Sequence, residues 1–185
     1  PSPREPYVSS EIMNIRTATT QDRDDIRRVY LSAFPEGESE IVAELAINLL
    51  SENSALPTIS LIAETDGFVV GHVAFSPVGV ENNENRRAYI LAPLAVKSDY
   101  QKHRIGSALV EYGMQQLSAM GVNVVFVYGD PKYYGRFGFS AEAARNYKTP
   151  YKLQYPFGWQ AIAIRGYVTE KEPAAIHCVT SLCDP

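Results

Sequence analysis

Only two cysteines, Cys178 and Cys183, occur among 185 residues. Two thiols are too few for a disulfide framework or a four-ligand zinc site, so free thiols are expected. Histidine is nearly as scarce. His72, His103 and His177 have no ligand-spaced partners, and no resident metal is expected. No apolar run is long enough to span a bilayer, and the N-terminus lacks a signal-peptide core. A surplus of positive charge is also missing. The formal net charge of −4 argues against a whole-surface nucleic-acid binder. Neither Gly-x-Gly-x-x-Gly nor Gly-Lys-Ser/Thr occurs, which sets aside the common nucleotide-phosphate loops. Internal repeats and low-complexity segments are absent.

What remains is an ordinary soluble composition, 45% hydrophobic and 21% charged. The length suits one domain with a sizeable core. Residues 1–12 carry three prolines and read as a loose tail, leaving residues 13–185 as a single domain. The cytoplasm is the expected location.

Periodicity gives the element order. Met13 to Ala18 is a strand candidate, and Thr19 with Asp22 has capping-box spacing. Ile26, Val29, Tyr30 and Ala33 recur at helical spacing until Pro35 and Gly37. A second helix is predicted to bury Ile41, Val42, Leu45, Leu49 and Leu50. Asp66-Gly67 is a hairpin turn between strands Thr58–Glu64 and Phe68–Phe75. A polar loop at 81–87 leads to a central strand, Ala88 to Val96. Its Pro93 cannot donate to a ladder, which predicts a bulge at Pro93 to Ala95 with free backbone groups. The next helix carries Ile105, Ala108, Leu109, Tyr112 and Met120 on its expected buried face. Val122 to Tyr128 is a buried strand, and Trp159–Ile164 and Ile176–Leu182 are later strands. Together these imply a mixed α/β sheet covered by helices.

Two stretches carry chemistry. Gln101-Lys102-His103-Arg104-Ile105-Gly106-Ser107 packs cations and a glycine into the start of a helix. Helix N-termini present free N–H groups and a positive dipole end, so an anion cradle is one reading and a solvated basic turn the other. In Gly129-Asp130-Pro131-Lys132-Tyr133-Tyr134-Gly135-Arg136-Phe137-Gly138-Phe139, Asp130 and Pro131 begin a short helix after a buried strand. Ligands gather at such strand ends in open α/β sheets. Tyr147, Tyr151, Tyr155, Phe157 and Trp159 follow as an aromatic-rich loop. They either wall a pocket or plug the sheet end.

The first stretch resembles motif A of the GNAT superfamily of N-acetyltransferases, a Gln/Arg-x-x-Gly-x-Gly/Ala loop, with Arg104 standing at its first glycine. The second resembles the family's Tyr-x-x-x-Gly-Phe element, Tyr134 falling on the tyrosine. Ile15-Arg16, Ala18-Thr19, Asp22 and Phe34 match the usual opening of the domain. The resemblance runs from Met13 to about Phe139 and points to a bacterial subgroup with mostly unassigned substrates.

It implies a mostly antiparallel central sheet with a splayed central strand, and an acetyl-CoA-dependent transfer to a primary amine. Leu94, Ala95 and Val96 would pair with the pantetheine arm, and Gln101, Lys102, His103, Arg104, Ile105, Gly106 and Ser107 would hold the pyrophosphate. Tyr134 would protonate the departing thiolate. The acceptor would be a small-molecule or peptide amine, with no nucleic-acid or membrane partner; a homodimer stays open. The stretch Ala88-Tyr89-Ile90-Leu91-Ala92 lacks the glutamate that many members place there. That leaves His72, Glu64, Tyr89 or a water relay for proton removal. A non-catalytic acyl-CoA-binding or sensing module on the same fold is the alternative.

Overall fold

In the computed structural model, residues 13–52, 55–164 and 172–178 are described. The expected tail at 1–12 and the strand end beyond Cys178 lie outside them. The strands are β1 (Asn14–Thr17), β2 (Ile59–Thr65), β3 (Phe68–Val80), β4 (Ala88–Val96), β5 (Val124–Tyr128), β6 (Tyr147–Lys148), β7 (Trp159–Ala163) and β8 (Ala174–Cys178). The helices are α1 (Arg23–Ala33), α2 (Ser39–Leu49), α3 (Ile105–Ala119), α4 (Pro131–Tyr134) and α5 (Ala141–Ala144). The sheet runs β1-β2-β3-β4-β5-β7, with β8 on the far end of β3 and β6 beside β8. Along the main path every pairing is antiparallel except β4 with β5.

Local chemistry sets the entry to α1. Thr19 N–H donates to Asp22 Oδ2 at 2.7 Å, and Gln21 N–H donates to Thr19 Oγ1 at 3.3 Å, closing the capping box. Arg16 from β1 clamps the same carboxylate at 2.7 Å and also reaches Glu64 at 2.8 Å. The Arg16 guanidinium holds the Asp22 carboxyl below the usual carboxylate range. The hairpin turn forms as the sequence requires, with φ of 51° at Asp66 and 79° at Gly67.

One face of the sheet carries α1 and α2 over Ile62, Val69 and Ala95. The other carries α3 over Leu61, Val73, Phe75 and Leu91. Burial on both faces explains why β4 is almost wholly apolar, and each fully buried leucine adds roughly 1.5–3 kcal/mol. Two helix faces match the periodicity reading in part, with Leu49 in α2 and Ile105 and Leu109 in α3 buried as expected. In α2 the buried residues are Ser39, Ala43, Ala46 and Leu49, while Ile41 is 72% exposed. Small side chains let α2 pack closely on α1, while Val42 and Leu50 pack partly buried beside them and only Ile41 of the expected set is exposed. In α3, Gly113 and Leu117 face the sheet and Tyr112 faces out. A Cβ at Gly113 would meet the Phe75 ring at 2.1 Å, so the helix seats where it has no side chain.

After residue 140 the aromatics divide. Trp159 stacks on Phe126 with centroids 5.0 Å apart, and Tyr147 meets the same ring edge-on, so these two plug the sheet. Tyr155 and Phe157 are exposed. Cys178 is disulfide-bonded, which corrects the expectation of a free thiol at that residue. No helix among the described residues is long and apolar enough to cross a membrane.

Candidate active site

The site begins where β4 parts from its neighbour. Parallel pairing with β5 runs from Ala88–Val124 to Leu91–Val127 and stops there. On its other edge β4 stays with β3, but Val73 faces Leu94 while Phe75 faces Leu91. Ala92 and Pro93 thus oppose the single residue Ala74, a bulge beginning one residue earlier than the proline suggested. Lys97 N–H donates to Val70 O at 2.8 Å. Antiparallel alternation then aims the N–H and C=O groups of Leu94 and Val96 away from β3, into the gap β5 has left. Gln101 Nε2 donates to Val96 O at 3.0 Å, tying the following loop to this edge.

That loop is shaped for an anion. Lys102 and Arg104 both take left-handed backbone, with φ of 67° and 62°, and the residue between them does not. Alternation of this kind turns successive N–H groups to one side, as in anion-binding nests. Arg104 therefore occupies a glycine-like conformation, at a cost of roughly 1–2 kcal/mol. The first helical bond runs from Ala108 N–H to Arg104 O, so the N–H groups of Ile105, Gly106 and Ser107 lack intrahelical acceptors.

A second wall comes from α4. Asp130 caps it, accepting from Lys132 N–H at 2.9 Å, with Pro131 at the first position. Tyr133 leans across the start of α3, and a Cβ at Gly106 would come within 2.6 Å of its hydroxyl. Arg136 Nη2 donates to Ser107 Oγ at 2.7 Å, and its guanidinium lies 4.8 Å from the Tyr133 ring centre. Between the walls is a cavity of about 660 Å³.

Leu94, Ala95, Val96, Gln101, Lys102, Arg104, Ile105, Gly106 and Ser107 all line this cavity. His103 is exposed on the same turn but outside the lining. Tyr134 is likewise outside the lining: it stands behind Tyr133, its ring against Phe139 at 6.0 Å. Burial pushes its hydroxyl well above the usual tyrosine range, so it keeps its proton at neutral pH. Sequence reasoning missed Tyr133, Arg136, Tyr100 and the α1 end, Ala33 and Phe34, as lining residues. One signal was there for Arg136: it follows Tyr133 by three, and residues three apart share a helical face.

The lining contains no carboxylate and no imidazole, but three cations. The three residues considered for proton removal are engaged elsewhere. Glu64 is held by Arg16, and the Tyr89 hydroxyl donates to Pro57 O at 2.7 Å. His72 is fully buried under α1, with Tyr30 Oη 2.6 Å from Nδ1 and Ser60 Oγ 2.8 Å from Nε2. Desolvation lowers its pKa to about 3, so it is a neutral structural link. Among the described residues, no group of three or more His, Cys, Asp or Glu is placed to hold a metal ion.

Residues 14–141 match the family described as acetyltransferase (GNAT) domain. The chain belongs to this family. The uncharacterized N-acetyltransferase YjhQ of Escherichia coli is 37% identical over 134 residues, covering 71% of this chain and 72% of YjhQ. Among solved structures, Escherichia coli YhbS in complex with CoA superposes with a TM-score of 0.76 at 28% identity, over 91% of this chain and 92% of that one. A Brucella melitensis GNAT family acetyltransferase in complex with acetyl-CoA gives 0.65 at 32% identity, covering 90% and 96%.

Proposed function

We propose that this protein is an acetyl-CoA-dependent N-acetyltransferase acting on a small-molecule or peptide primary amine. The observation that carries the reading is the single cavity uniting the outward edge of Leu94 and Val96, the left-handed turns of Lys102 and Arg104, and the open first turn of α3. The strand edge suits the amide-bearing pantetheine arm, and the nest and helix start suit its pyrophosphate. The two relatives solved with CoA or acetyl-CoA support the same donor.

Transfer is direct, within a ternary complex. A free N–H at the bulged strand polarises the thioester carbonyl as negative charge builds on its oxygen. An alkyl amine has a pKa of about 10.4 and must shed a proton before attack. With no carboxylate or imidazole in the lining, water carries out that proton and the second one that the nitrogen sheds as the C–N bond forms. As the C–N bond forms and the C–S bond breaks, Tyr134 donates to the departing sulfur. Its raised pKa keeps the hydrogen in place but makes full transfer costly. The proton therefore crosses only as the thiolate is expelled and is replaced from solvent.

Thiol release from acetyl-CoA, followed across an amine panel, tests the reading. Saturable, amine-dependent release is expected. Tight acetyl-CoA binding without turnover on any amine would instead mark an acyl-CoA-binding module.

A further inference from the structure

We propose that Arg136 is a direct ligand of the donor's pyrophosphate, held in readiness by Tyr133 and Ser107. This rests on the acetyl-CoA reading above and adds a wall to the site that motif A does not contain. Arg136 leaves the α4 segment, yet its guanidinium reaches the first turn of α3 through Ser107 Oγ at 2.7 Å. The same guanidinium lies over the Tyr133 ring at 4.8 Å and near that of Phe137 at 5.5 Å. These ring contacts hold the guanidinium in place while the Ser107 bond uses only one of its N–H groups. It lines the same cavity as Lys102 and Arg104, and none of the three has an ion pair with a carboxylate among the described residues.

Three cations converging from two walls, around a helix start with open N–H groups, fit a diphosphate bridged on both sides. A planar guanidinium can grip two of its oxygens at once. Ser107 Oγ acts as the resting partner that keeps the fork at the phosphate position. Tyr133 cannot hold this place unless residue 106 is glycine, because a Cβ there would meet its hydroxyl at 2.6 Å. Gly106 therefore serves both the phosphate and the clasp.

The test is a ligand-truncation series on full-length wild type, Arg136→Ala and Arg136→Lys. Affinity is measured by calorimetry for acetyl-CoA and acetyl-dephospho-CoA, and by NMR titration for S-acetyl-pantetheine; apo melting is the folding control. Arg136→Ala should weaken acetyl-CoA by about tenfold, the scale of one charge-assisted hydrogen bond at an exposed site. The same loss is expected for acetyl-dephospho-CoA and none for S-acetyl-pantetheine. Arg136→Lys should fall between, because it keeps charge but loses fork and stacking. Equal affinities in wild type and Arg136→Ala would overturn the assignment. So would an equal loss for S-acetyl-pantetheine, which marks a structural strut, or a loss that vanishes without the 3′-phosphate. Wild type failing to bind acetyl-CoA at all would remove the functional reading itself, a distinct outcome.

Discussion

The two halves of β4 are one strand with two fates. From Ala88 to Leu91 it is paired on both edges and sealed between helical layers. From Ala92 to Val96 it keeps only β3, and its outward edge faces a cavity. The side chains barely change along the strand; the backbone partners do. A sheet can therefore carry its core and its ligand edge on consecutive residues, provided one neighbour is led away.

Tyr134→Phe should lower kcat by about a hundredfold to ten-thousandfold with KM for the donor nearly unchanged. Steady-state kinetics at saturating amine check it, and an unchanged kcat would remove Tyr134 from the reaction.

Next comes stability. Leu91, 2% exposed, should cost roughly 2–5 kcal/mol when cut to alanine. Leu94, half-buried at the gap, should cost about 1 kcal/mol but weaken donor binding. Denaturant unfolding and binding of both variants separate a packing residue from an edge residue. Equal destabilisation would mean that the splayed half is core after all.

His72 sharpens the picture from below, since it pairs with Ala95 and ties α1 to the splayed half. Its folded pKa of about 3 lies below the unfolded value of about 6.5. Below pH about 6.5 the unfolded chain takes up a proton that the folded chain refuses. Stability is thus full above that pH and falls by up to about 1.4 kcal/mol per unit toward pH 3. Urea unfolding at several pH values should show a flatter dependence for His72→Gln than for wild type. Parallel curves would mean that another group drives the acid loss.

The smallest effect is the most informative about the loop. Arg104→Gly should raise stability by roughly 1 kcal/mol, because it relieves a left-handed non-glycine residue. It should also weaken donor binding, by less at high salt. Stability lost together with unchanged binding would contradict both halves of that statement.

What could be read from the sequence was local. The Thr19–Asp22 capping box, the Asp66-Gly67 turn, the break at Pro93 and the Asp130-Pro131 helix start each depend on residues within one turn of chain. Each formed close to where the residue types placed it. What could not be read was contact across the fold. Ala43 and Ala46 sit at the centre of the buried α2 face, which no periodicity of large aliphatics reveals. His72 reads as a candidate for proton removal until Tyr30 and Ser60 close on it from other elements. Tyr133 over Gly106 and Arg136 on Ser107 join segments about 30 residues apart, so this wall of the cavity was invisible until the chain folded.

The central claim is that the donor lies along the unpaired half of β4 and over the start of α3. Amide chemical-shift mapping of the 20.5 kDa protein during an acetyl-CoA titration tests it most directly. Large shifts are expected at Leu94, Val96, Gln101–Ser107 and Tyr133–Arg136, with Ala88–Leu91 nearly silent and all shifts lost in Gly106→Val. Shifts centred on the paired half, or unchanged in Gly106→Val, would contradict it.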